Sequence, residues 1–158
     1  MDISFKLSLP NDVLLLLTIV ATLLGIFKGL QEYIKQGKEK RAHTFFELEK
    51  EFFDKEITRK ICKFLETDSV ELKNISYEEK IKFLGFFEKI AFLINSNLLK
   101  EEISAYVYGF YIIKCFDSEN FWDADLDKDS PYWKLFHKLS DQMRKINIEK
   151  ISLQNLTL

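Results

Sequence analysis

Few side chains in this sequence combine the type and the spacing that chemistry needs. The two histidines, His43 and His137, stand at no metal-ligand spacing from a Cys, an Asp or each other. His43 precedes Thr44-Phe45-Phe46, and His137 lies between Phe136 and Lys138. Each reads as a helix-surface or boundary residue. Asp123, Asp125, Asp127 and Asp129 alternate as at the start of a calcium loop. Lys128 stands where that loop needs Gly, and Lys134 where it needs a bidentate Glu. The row is therefore read as a solvated acidic loop whose carboxylates favour the helix opening at Ser130. No metal site, no cofactor and no catalytic set is expected. Glycine-rich phosphate loops and the G-x-S-x-G elbow are absent. The Arg-then-His spacing of helical HEPN-type nucleases is absent too, since Arg41, Arg59 and Arg144 are the only arginines.

One carboxylate stands out. Glu88 has Leu84, Gly85, Ala91 and Phe92 as helical neighbours, which predicts partial burial. A buried carboxylate needs a partner or a raised pKa. The partners expected for it are Arg41, Arg59, or the hydroxyls of Tyr106, Tyr108 and Tyr111. Glu88, Arg59 and these tyrosines form the candidate buried polar or ligand site, with locking of the helices as its expected role. Cys62 and Cys115 are far apart in sequence and form no C-x-x-C pair, so they read as reduced, buried thiols.

These groups must be positioned by helices. Gly occurs five times and Pro twice in 158 residues, which leaves little turn material. The expected fold is all-α: an N-terminal transmembrane helix, then a cytosolic bundle of about five helices. The chain divides into residues 1–35, tail and anchor, and 36–158, the helical domain. With 23 basic and 25 acidic residues the chain lacks the basic excess of a nucleic-acid binder.

Residues 13–27 carry no charge. As a helix they span about 22 Å, short of a hydrocarbon core of about 30 Å. Snorkelling of Lys28 brings Gly29 and Leu30 to membrane depth. A cleaved signal peptide fits poorly, because Asp2, Lys6 and Asp12 precede the run and no small-x-small site follows it. Lys28, Lys35, Lys38, Lys40 and Arg41 flank the far side against Lys6 alone on the near side. This asymmetry places the N-terminal side outside, the body in the cytoplasm, and a basic flank against anionic lipid of the inner membrane. Ala21, Gly25 and Gly29 recur every four residues beside Thr18 and Thr22. Such a face lets two membrane helices approach closely, so a homo-oligomer is expected.

Beyond the span, Gly37 predicts a break or hinge. Amphipathic stretches follow at about 39–53 and 55–65. Ser76 and Glu79 form a capping box that opens a helix over about 77–95, apolar on nearly every face. A further helix covers about 100–116. Its uncharged run, 103–113, is too short to span a membrane. Ser130-Pro131 starts a last helix that ends near 146. The tail, 148–158, is expected to cover the core or to fray.

Phe86-Phe87-Glu88-Lys89-Ile90-Ala91, then Tyr106 and Tyr108-Gly109-Phe110-Tyr111, then Tyr132-Trp133-x-x-Phe136-x-x-Leu139, resemble a family of small bacterial proteins of unknown function. That resemblance implies one membrane helix, a helical cytosolic domain and a place in antiviral defence. It brings no activity with it.

The function expected is a non-enzymatic membrane effector or sensor subunit. Its partners would be the lipid membrane, further copies of itself, and a cytosolic protein or small-molecule ligand, but no nucleic acid. The alternatives are a tethered hydrolase or nuclease using Glu88 and His137, and a passive tether for a cytosolic partner.

Overall fold

A computed structural model describes residues 11–123, 125–146 and 151. It is all-helical. Among the described residues there are five α-helices and no strand: α1 (Asn11–Phe53), α2 (Glu56–Glu66), α3 (Tyr77–Asn95), α4 (Glu101–Asp117) and α5 (Lys134–Lys145). Short 3-10 turns, Val70–Asn74 and Pro131–Trp133, precede α3 and α5. The tail, 148–158, expected to cover the core or to fray, lies outside the described residues except for Ile151.

The chain forms two units, Met1–Lys40 and Arg41–Leu158. In the first, the described residues belong to α1. Thr18 Oγ1 donates to the Leu14 carbonyl and Thr22 Oγ1 to the Thr18 carbonyl, both at 2.8 Å. The two hydroxyls therefore place no unsatisfied donor on the helix surface. The break expected at Gly37 does not occur: α1 runs through it without interruption. Strong helix formers flank that glycine, and Lys35 reaches Glu39 across it at 3.8 Å. The ~1 kcal/mol that glycine costs a helix interior is small against those helix formers, and the exposed pair adds at most a few tenths. The stretch at 39–53 is accordingly the end of α1, not a separate helix.

The second unit is built around aromatic packing. Phe52, near the end of α1, is 1% exposed. Its ring stacks on Phe86 at 4.8 Å and meets Tyr108 edge-on at 5.3 Å. Phe87 stacks on Phe136, which brings α5 onto α3. Helix α3 starts at the Ser76–Glu79 capping box, formed as the sequence predicts. It buries Phe83, Leu84, Phe86, Phe87, Ile90 and Ala91 but leaves Phe92 exposed, so it has one open side rather than none. Helix α4 packs closely on α5 where Gly109 faces Met143; a Cβ there would sit 3.8 Å from the Met143 sulfur. The last helix starts later than expected. Ser130 caps the turn Pro131–Trp133, and α5 follows from Lys134.

Candidate functional site

The candidate ligand cluster of Glu88, Arg59 and the three tyrosines is not brought together as one site. Tyr106 is exposed. Tyr108 is fully buried among Phe52 and Phe86, and its hydroxyl has no partner among the described residues. Burial pushes that phenol well above its usual range, so it stays protonated at any physiological pH. Glu88 is half-buried. Its carboxyl is held above the usual range by desolvation, partly offset by the backbone amide of Phe136 in the first turn of α5. The expected Arg or Tyr partner is thus replaced by a helix-terminal amide, one of the donors that a helix leaves free. Arg59 and Tyr111 do share one cleft. They line a cleft of about 200 Å³ with Phe53, Lys63 and Glu66. A larger cleft of about 350 Å³ has Phe52, Phe83 and Phe86 on its walls. The charges beside it are already paired: Glu51 with Lys89 at 2.6 Å, and Lys82 with Glu78 at 2.6 Å.

The acidic row is not simply solvated. Lys80 is fully buried on α3, and its Nζ lies 2.5 Å from Asp123 Oδ2. The other oxygen of Asp123 accepts from the amides of Asp125 and Leu126. The Lys80 hydrogen bond holds the Asp123 carboxyl below the usual carboxylate range, although burial opposes it. Asp127 accepts from the Asp129 amide, a local turn. Asp125 and Asp129 are exposed. Among the described residues no group of three His, Cys, Asp or Glu could hold a metal.

The histidines have structural partners. His43 sits 3.4 Å from Glu47 on an exposed face of α1. His137 Nε2 contacts the Lys128 carbonyl at 2.9 Å, and its ring meets Phe116 edge-on. Cys62 and Cys115 are buried free thiols. Burial pushes Cys62 up to about 12 and Cys115 upward as well, which removes the thiolate needed for reactivity.

Sequence reasoning missed two polar anchors. Lys80 shares a helical face with Phe83, Leu84 and Phe87, and that phase is the signal that a lysine is buried there. Asp68, at φ 47°, accepts from the Ser118 hydroxyl at 2.5 Å and from the amides of Glu119 and Asn120. Its partners lie about fifty residues away in the chain, and no local pattern announces them.

The remaining candidate surface is α1 in the first unit. All of its described side chains from Val13 to Ile34 are exposed, large apolar ones included. By length and composition this helix can cross a membrane. Thr18, Ala21, Thr22, Gly25 and Gly29 lie on its exposed surface, and a Cβ built on either glycine would meet nothing within 4 Å. Lys28, Lys35, Lys38 and Lys40 are exposed as well. Arg41 differs. It is half-buried, lines a cleft with Asn95, Asn97 and Leu99, and its Nε has no partner among the described residues.

No known family model, curated protein or solved structure matches this chain.

Proposed function

We propose that this chain is a membrane-anchored, non-enzymatic helical subunit, an effector or sensor that self-associates through its membrane helix. The observation that carries the proposal is the uncovered apolar surface of α1 from Val13 onward, with Leu15 65% and Leu24 64% exposed. Water-soluble monomers rarely leave a contiguous apolar surface larger than several hundred Å² uncovered, whereas a bilayer covers one of this length. The four exposed lysines and Arg41 on one side, against Lys6 on the other, favour a cytoplasmic membrane with the N-terminal side outside and the helical body in the cytoplasm. The cleft beside Arg59 and Tyr111 is where a small cytosolic ligand or a protein side chain would be read. A role in bacterial antiviral defence rests on the aromatic resemblance alone. A tethered hydrolase is less favoured, because Glu88 and His137 are taken up by backbone groups of the loop and α5.

Gly25→Leu tests self-association. The side chain enters open space in the single chain, so the fold should survive. Association in detergent, read by crosslinking and native mass spectrometry, is expected to fall about tenfold, a loss of about 1.4 kcal/mol of helix–helix contact. Only monomers in the wild type would overturn the proposal.

A further inference from the structure

Beyond the membrane-depth glycines, one face of α1 changes character without changing its spacing. Lys28, Glu32, Lys35 and Glu39 follow one another at alternating steps of four and three residues. Ala21 and Gly25 occupy the two preceding positions of the same series. This is the repeat by which helices pack along a seam. All four charged side chains are exposed. Lys28 has no ion-pair partner among the described residues. Glu32 receives only the Gln36 amide, at 3.5 Å. Lys35 and Glu39 pair at 3.8 Å, each about two-thirds exposed. Lys before Glu at this spacing is the weaker order for a pair within one helix, which leaves these charges available to a neighbour.

We propose that Lys28, Glu32, Lys35 and Glu39 form a self-complementary charged seam that pairs parallel copies of this chain just outside the apolar span. The proposal rests on the membrane-associated reading above and names its partner, a second copy. Charge complementarity favours a second copy as the occupant. The signs alternate along the row, so in a parallel pair at equal depth each charge has a like charge level with it and the neighbour's opposite charges one step above and one step below. Successive positions lie about 4.5–6 Å apart along the axis, within reach of a lysine side chain. Insertion in one direction makes the copies parallel. The small-residue part of the series gives close approach in lipid. The charged part, nearer water, fixes register and excludes partners with the wrong pattern.

The test uses full-length chain in vesicles of phosphatidylethanolamine and phosphatidylglycerol, with energy transfer between labelled copies as the readout. One variant, Lys28→Glu with Lys35→Glu, makes the row acidic. A second, Glu32→Lys with Glu39→Lys, makes it basic. Lys38 and Lys40 keep the flank basic in both. Each variant alone is expected to lose self-association about tenfold, because the diagonal contacts between successive positions turn from attractive to repulsive. An equal mixture of the two should regain transfer between unlike copies. Wild-type-like association of either variant alone, or a mixture no better than its components, would overturn the seam. If the wild type associates and Gly25→Leu weakens it while both charge variants behave normally, only the seam fails. No transfer in the wild type sinks the seam and the self-association reading together.

Discussion

Phe52→Ala is expected to lower the unfolding free energy by about 3–5 kcal/mol, the cost of emptying a large aromatic site in a packed core. The ring is buried on every side. Besides Phe86 and Tyr108, it lies within 6.0 Å of the Phe53, Phe83, Phe87 and Tyr111 ring centroids. These neighbours come from α1, α3 and α4, so the cavity would open where three helices meet. Urea unfolding of the full chain in detergent, followed by Trp122 and Trp133 fluorescence, measures it. A loss below about 1 kcal/mol would show that the site collapses or that Phe52 is not central.

The second large effect is at Lys80 and Asp123. Asp123→Ala leaves a fully buried ammonium without its carboxylate. Breaking a fully buried pair costs about 3–5 kcal/mol, and a smaller loss, about 2–3 kcal/mol, is expected here because Asp123 is partly open to water. Adding Lys80→Met should recover much of the loss, since the stranded charge is then gone. Equal stability of Asp123→Ala and wild type would contradict this account of the loop. The sign with pH also follows. The folded carboxyl titrates below its unfolded value, so its stabilisation is present above the ordinary carboxylate pKa of about 4. It is lost as pH falls through the lower folded value. The gap between wild type and Asp123→Ala should therefore close in acid. Asp68 adds to the same trend. Burial would raise its carboxyl, but hydrogen bonds from Ser118, Glu119 and Asn120 outweigh that and hold it low.

The helices were legible where the sequence carries local punctuation. Ser76 and Glu79 announce α3, and the structure forms that capping box. The helices from Glu56 to Asp117 likewise fall within a residue or two of their periodicity. Gly37 misled, because a glycine's cost is small against continuous helix formers and pairs such as Lys35–Glu39. The turn Val70–Asn74 was not expected, since its cap, Ser69, is followed by no helical period long enough to read. The polar anchors were hardest. Glu88 was rightly expected to be half-buried, but its contact is the amide of Phe136, which side-chain types cannot reveal. Asp123 belongs to Lys80, forty-three residues earlier, so its row looked like a solvated loop. What the sequence did show plainly was the apolar surface of α1, because residues 13–27 carry no charge on any face.

Alkaline carbonate extraction of membranes containing the full chain separates a spanning helix from a surface-bound one. A helix that crosses the bilayer is held by some twenty apolar residues and survives the wash, whereas electrostatic or protein-mediated attachment does not. The chain is expected to stay in the membrane pellet. Its release into the supernatant would contradict the membrane-spanning reading of α1.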